Sequence, residues 1–437
     1  MLAHTKPPSL PIVIYWGNPG TFDTDDSVKN ALRAIEHRDR VRRLTLHMPE
    51  SSLRKVFSFQ SMDGLFPILE TLQLSCPSGM DLSTNAELPG SFQAPNLRHL
   101  QLSDLEFMPS SLLSDNVANR PSIVTLSIVE ITNDVDTLMK HLALMPHLKV
   151  LKIGTAFSIP SEQKESTEKE LCMDSKPDSA PLLAFTDLEE FEYQGISDYL
   201  EAVVARISVP FLKKLSITIT NKIYDSEDLG ATTFKYLSRL VSRASDLAFQ
   251  YARVRFKDGF SIVMDHDELW TGRGAFELRF NYRNYYFDAD VGLVAEICRV
   301  LIPTPSTVQS FLLEDAHRNH WQKKPDREGC CELLRVFDNV RTLRVARRFV
   351  GALDKALEPP KGGPNDDNGG DKGSESVGVV LLSLLPRLQE IVRYDPLEEE
   401  EKSRRPGYEK EEKKKKGMSL WNLCRLGRLP VYRSYAS

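Results

Sequence analysis

The chain has 437 residues, 41% of them hydrophobic and 27% charged, with a formal net charge of −5. That is apolar enough for a packed core, while the small negative balance gives no global pull toward nucleic acid or an anionic membrane. Its six cysteines form no CxxC pair, which argues against a disulfide framework or zinc module and for a reducing compartment, cytoplasmic or nuclear.

Leu10 to Trp16 is the first apolar run. It is short and has no basic region before it, so it reads as a strand rather than a signal peptide. No later stretch approaches the ~18 apolar residues of a membrane span, and no membrane is expected as a partner. Gly17-Asn18-Pro19-Gly20 then reads as a turn, too short and lysine-free to cradle phosphate.

From Val41 onward one phrase returns, Pro-x-Leu-x-x-Leu-x-Leu. It reads Pro67 to Leu74, Pro95 to Leu102, Pro121 to Ile128, Pro146 to Ile153 and Pro210 to Ile217. Its first apolar positions are Val41, Leu69, Leu97, Ile123, Leu148, Leu188 and Leu212, mostly 24 to 28 residues apart. Later phrases start at Val308 and Val340, and a last one at Leu388 places Arg393 where an apolar residue is expected. A phrase of this period is the signature of a leucine-rich-repeat solenoid. Positions four and six share one face of a short strand and are expected to bury, since side chains alternate with period two. Amphipathic stretches such as Asp136 to Met145 and Lys235 to Arg243 predict helices packed on those strands. Proline or aspartate then ends each helix and turns the chain into the strand. The expected fold is α/β: a curved parallel sheet with outer helices.

Three stretches interrupt the array. Ser161 to Ser179 is polar and reads as a loop insertion. The 251–286 region predicts an antiparallel hairpin, with strands at Val254 to Phe256 and Phe260 to Met264 about an Asp258-Gly259 turn, and a further strand at Phe276 to Phe280. These strands are expected to extend or cap the solenoid rather than repeat it. Glu358 to Ser376, rich in Gly, Pro and Asp, reads as a disordered loop. The organisation that follows is a first array over 9–250, a strand-rich insertion and helix over 251–300, a last array over 301–395 with the loop 358–376, and a charged tail over 396–437.

Catalytic constellations are weak. Asp265-His266-Asp267-Glu268 holds four possible ligands, but neighbours on a strand end point opposite ways. His317 and His320 lack a third ligand at a known spacing, and Cys330-Cys331 reads as core packing. No GxSxG, GxxxxGK[ST], HExxH or GxGxxG motif occurs. No enzyme activity, metal or cofactor is expected; a metal-dependent hydrolase around 251–320 is the remote alternative.

What remains is the face opposite the buried leucines. Positions three, five and seven of each phrase form columns across it. Within them Arg43, Gln73, His99, Gln101, Lys152, Glu190, Glu192 and Lys214 are the candidate partner-binding residues. The columns are mixed in sign and poor in aromatics and arginine, which suits a protein or peptide partner better than nucleic acid.

The phrases FPILETLQLS, APNLRHLQLSDLEF and MPHLKVLKIGTAF resemble the C-terminal leucine-rich region of fungal F-box proteins. Ser9 to Ile14 resembles the strand that opens that region. The resemblance spans about residues 9 to 395 and implies the substrate-binding part of an F-box-like ubiquitin-ligase receptor, with a cullin-ligase adaptor as a possible partner. The F-box, a helical module beginning Leu-Pro-x-Glu, has no counterpart in the sequence, so no adaptor-contact residue is assigned. Position nine holds Pro77, Leu105, Ile131, Ala156 and Thr220 in place of the Asn or Cys ladder common in leucine-rich families, which implies irregular turns. A regulatory or decoy repeat protein without a ubiquitin link is the alternative.

Overall fold

The computed structural model describes residues 10–16, 25–58, 62–76, 92–103, 122–131, 135–155, 182–220, 234–243, 249–256, 259–266, 275–281, 291–301, 307–315, 327–346, 349–350, 353 and 384–394. The turn at 17–20, the insertion 161–179, Asp267 and Glu268, His317 and His320, the loop 358–376 and the tail 396–437 lie outside the described residues. The chain divides into two compact units, Met1–Leu212 and Lys213–Ser437.

Seven of the phrases show the same turn among the described residues. The residue before the proline or aspartate, buried in each case but Arg38, accepts through its carbonyl the N–H of the phrase's first apolar residue three positions on. The pairs are Phe66 with Leu69 (3.4 Å), Ala94 with Leu97 (3.0 Å), Met145 with Leu148 (3.3 Å), Val209 with Leu212 (3.4 Å) and Leu385 with Leu388 (3.1 Å). Proline stands second in each of these turns because its ring presets the φ that the position requires. Aspartate takes the place at Asp39 and Asp338, where Arg38 closes on Val41 (3.4 Å) and Phe337 on Val340 (3.2 Å). The chain then enters a strand at the third position of the phrase, or at the first in the case of Val41.

In the first unit these strands are β2 (Val41–His47), β3 (Thr71–Ser75), β4 (His99–Ser103), β5 (Thr125–Ile131), β6 (Val150–Thr155) and β8 (Glu190–Gly195), preceded by β1 (Ile12–Trp16). They lie side by side in the order β1-β2-β3-β4-β5-β6-β8, all neighbours parallel. Position four makes one unbroken row: Leu44, Leu72, Leu100, Leu126, Leu151 and Phe191. Position six makes the next: Leu46, Leu74, Leu102, Ile128, Ile153 and Tyr193. Both rows are buried, and each such side chain contributes about 1.5–3 kcal/mol of burial. The pairing slips between Ile128 and Ile131, an irregularity at the end of the β5 phrase that fits the missing ladder residue at position nine.

The buried rows are covered by α1 (Asp25–Ile35), α2 (Glu50–Phe57), α3 (Val135–Leu142) and α4 (Ser197–Val204). Val135, Leu138, Met139 and Leu142 give α3 its buried stripe at three-and-four spacing. The buried guanidinium of Arg206 donates to Asp136 in the first turn of α3. His141, half-buried near the end of the helix, has its pKa lowered by desolvation first and by Lys140 second. A minor parallel pair, β7 (Leu183–Ala184) with β9 (Ile207–Ser208), ties the strand starts together just before two of the turns.

Gly195 at the end of β8 shows how closely two repeats approach. A Cβ there lands on Thr155 Oγ1 and 2.6 Å from the Tyr193 hydroxyl, which donates to the Ile196 carbonyl at 2.7 Å. Gly195→Ala is therefore expected to destabilise the protein by about 1–3 kcal/mol through overpacking. Urea unfolding checks this, and an unchanged midpoint would refute the close packing.

The second unit has the order β10-β13-β12-β11-β14-β15-β16. Here β10 (Lys214–Ile219), β14 (Ser310–Asp315), β15 (Thr342–Ala346) and β16 (Glu390–Tyr394) follow phrases, while β11 (Tyr251–Phe256), β12 (Gly259–Asp265) and β13 (Phe276–Asn281) form the antiparallel insertion. Phe256 pairs with Phe260 across the short connection, and Gly259 sits at φ +124°, the left-handed region a tight hairpin assigns to glycine. Of the two placements expected, extending or capping the solenoid, the insertion takes the first, from inside the sheet. It lies within the ladder, with β13 parallel to β10 and β11 parallel to β14. The physical reason is that β12 alone is reversed. A meander of three strands presents two outer strands of equal direction, and both match the repeats beside them.

Aromatics fill the core beneath the insertion: Phe260 stacks on Phe280 at 4.5 Å, Phe311 on Phe337 at 4.3 Å and Phe256 on Phe349 at 5.8 Å. Helices α5 (Lys235–Arg243), α6 (Val291–Leu301) and α7 (Arg327–Val336) complete the unit. Cys330 and Cys331 are both buried in α7. Cys298 is buried in α6, where desolvation raises its thiol pKa, so it acts as a packing residue rather than a nucleophile.

Candidate functional site

Alternation that buries positions four and six turns positions three, five and seven to the opposite, open face. In the first unit the register aligns these positions as the repeats require. Arg43, Thr71, His99, Thr125, Val150 and Glu190 form one row, and Thr45, Gln73, Gln101, Ser127, Lys152 and Glu192 the next. Their side chains are linked across strands. Gln73 Oε1 accepts from Arg43 (3.2 Å) and from Thr45 (3.0 Å), and Gln73 Nε2 donates to Gln101 Oε1 (3.1 Å). His47 bonds Ser75. Lys152 pairs with Glu192 at 2.6 Å, a half-exposed ion pair worth at most about 1 kcal/mol.

The structure thus joins Arg43, Gln73 and Gln101 in one hydrogen-bonded chain and Lys152 with Glu192 in one ion pair. His99 is exposed beside Thr71 and Thr125, and Glu190 lies beside Val150. Lys214 stands at the start of β10 in the second unit, half-buried.

Two sets of open-face residues escape the phrase. On β1, Val13 and Tyr15 lie beside Arg43 and Thr45, both well exposed. They add a further apolar group and an aromatic one to the first unit's face, where the phrases supply Val129 and Val150 but no aromatic. In the second unit the insertion supplies arginine. Arg253 and Arg255 on β11 and Arg279 on β13 face the open side, as does Arg344 on β15. The sequence signal was present in YARVRF, FELRF and TLRVA, where arginine alternates with residues that bury. Only the register shows that these strands share a face.

Asp265 and His266 are accounted for locally. The Asp265 carboxylate accepts the His266 backbone N–H at 2.7 Å, and the His266 ring stacks on Phe249 at 5.6 Å. Among the described residues no three His, Cys, Asp or Glu side chains gather as a metal site. No described helix is long and apolar enough to cross a membrane.

Ten phrases, each leading into a strand and seven of them with the turn described, define a leucine-rich-repeat α/β array. No family model matches the sequence, and no curated protein matches it. Among solved structures it is similar to the leucine-rich repeat-containing protein LegL7 from Legionella pneumophila, at 13% identity over 89% of this chain and 91% of that one, with a TM-score of 0.30. The repeat architecture rests on the chain's own register, strand by strand, rather than on that likeness.

Proposed function

We propose that the chain is a non-enzymatic protein-recognition scaffold that binds its partner on the open face of the repeats. The observation that carries this reading is the set of polar rows on the first unit. Arg43, Gln73, Gln101, Lys152 and Glu192 are held in register over a fully buried leucine layer. Rigid strands fix their spacing, and the cross-strand hydrogen bonds fix their rotamers, so little side-chain entropy is left to lose on binding. Tyr15 and Arg43 lie at one end and are of the types that dominate protein interfaces.

The finer reading follows from the resemblance to fungal F-box proteins. In it the array is the substrate-binding part of an F-box-like ubiquitin-ligase receptor and positions a substrate for another subunit to modify. Affinity purification of the tagged full chain from its own cells, with mass spectrometry of the eluate, tests both levels. A cullin-ligase adaptor among the co-purifying proteins is the result the finer reading expects. A reproducible partner set without the adaptor removes the ligase role and leaves a free-standing or decoy scaffold. Gln73→Ala with Arg43→Ala should reduce partner recovery at least tenfold. Recovery equal to the unaltered chain would refute recognition by the first unit's open face.

A further inference from the structure

The strands that follow no phrase carry a concentrated charge pattern. Across the second unit one row reads Arg279, Ser261, Arg255 and Glu314, on β13, β12, β11 and β14, open at Arg279 and closed at the buried Glu314. The next row places Glu277 and Arg253 on either side of Val263. Three arginines thus meet two carboxylates, and the three are not equivalent. Arg253 is spent on the fold: its Nε donates to Glu314 at 2.7 Å, and its side chain is 17% exposed. Arg279 bonds Glu277 at 2.6 Å yet keeps half its surface in solvent. Arg255 is 36% exposed, its Nε is buried without a hydrogen bond, and it stands 3.8 Å from Glu314.

Between the two more exposed arginines lies a short floor. Ser261 and Val263 are half-buried small side chains on β12, flanked by long ones on both neighbouring strands. Arg279 and Arg255 are two strand spacings apart at the backbone, about 9.6 Å, within reach of one carboxylate for two long side chains. The Arg255 Nε is buried toward Glu314, so the part of Arg255 that a partner can reach is its exposed edge, which, like the exposed half of Arg279, can meet an incoming carboxylate in a charge-assisted bond.

Resting on the recognition reading above, we propose that this row binds an acidic, extended segment of a protein partner, with Arg255, Arg279 and the Ser261 hydroxyl donating to one of its carboxylates. The ligand class follows from charge complementarity, since the row carries excess positive charge in a chain of net charge −5. The shape follows from the floor, which runs along a strand and fits a peptide laid lengthwise. Two buried glutamates in the same patch disfavour a polyanion such as nucleic acid.

Fluorescence anisotropy of a labelled glutamate-rich decapeptide with the full chain tests the site. Binding should weaken as NaCl rises. Arg255→Ala and Arg279→Ala should each weaken it tenfold or more, while Arg299→Ala, an exposed arginine on helix α6, leaves it unchanged. Because Arg255 adjoins a buried carboxylate, Ser261→Glu serves as the second variant. It removes no ion pair, and it should abolish peptide binding while leaving the thermal transition in place. Absence of binding at low salt, or binding indifferent to both Arg279→Ala and Ser261→Glu, overturns the assignment. So does an oligonucleotide that outcompetes the peptide. If the cellular partner set survives Ser261→Glu but not the Gln73 and Arg43 substitutions, this site fails and the recognition scaffold stands. Indifference to both sets removes both.

Discussion

Leu100→Asp abolishes the cooperative unfolding transition. Leu100 lies in the middle of β4, between Leu72 and Leu126 on the neighbouring strands, and all three are buried. A carboxylate there has no cation to meet, because the flanking positions of its row are leucines. An unpaired buried charge costs about 3–5 kcal/mol, and the lost leucine burial adds about 1.5–3 kcal/mol. Against a typical total stability of about 5–15 kcal/mol, the repeats around β4 no longer hold together. Circular dichroism on heating reads this directly. His99→Asp is the matched control, one residue earlier on the exposed face, where a substitution changes stability by about 0.5 kcal/mol or less. A one-residue slip in register exchanges the two faces. The register is therefore wrong if Leu100→Asp melts like the unaltered protein, or if His99→Asp is the more damaging change.

The contrast between Leu100 and His99 also explains what was legible in advance. A phrase such as Ala94-Pro95-Asn96-Leu97 encodes its turn within four residues. Leu100 and Leu102 then encode a buried face by period two, so strand position, register and open face follow from local chemistry repeated. Arg43, Gln73 and Gln101 were legible for the same reason. The placement of β11, β12 and β13 was not. Period two is identical in parallel and antiparallel strands, and Asp258-Gly259 marks a reversal without marking which strands flank it. Their order depends on which edges remain to be paired, a property of the assembled sheet. The arginine row was hidden for a related reason: Arg253 and Glu314 are 61 residues apart, and Arg253 stands in no phrase. Val13 and Tyr15 were missed because an apolar run reads as buried, whereas β1 pairs on the described side with β2 alone and leaves half of its side chains to solvent.

Arg253→Met should cost about 3–5 kcal/mol, the penalty of breaking a buried ion pair from one side. Glu314 is only 2% exposed, and its close partner is the Arg253 guanidinium, with Arg255 at 3.8 Å as the next cation. Without Arg253 the carboxylate stays desolvated on β14, a strand buried on both faces at Phe311, Leu312 and Leu313. Adding Glu314→Leu should recover most of the loss, since replacing both members of a buried pair by apolar groups is close to neutral. Arg279→Met removes a guanidinium that is half in solvent but leaves the buried Glu277 carboxylate without it, and should cost less, about 1–3 kcal/mol. Urea unfolding of the three variants separates two kinds of arginine on one face. If Arg253→Met is as mild as Arg279→Met, then Arg253 is no more structural than its neighbours, and the division of labour in the row is wrong. If it is severe and rescued by Glu314→Leu, Arg253 holds β11 to β14, and the exposed edges of Arg255 and Arg279 are the charges left over for a partner.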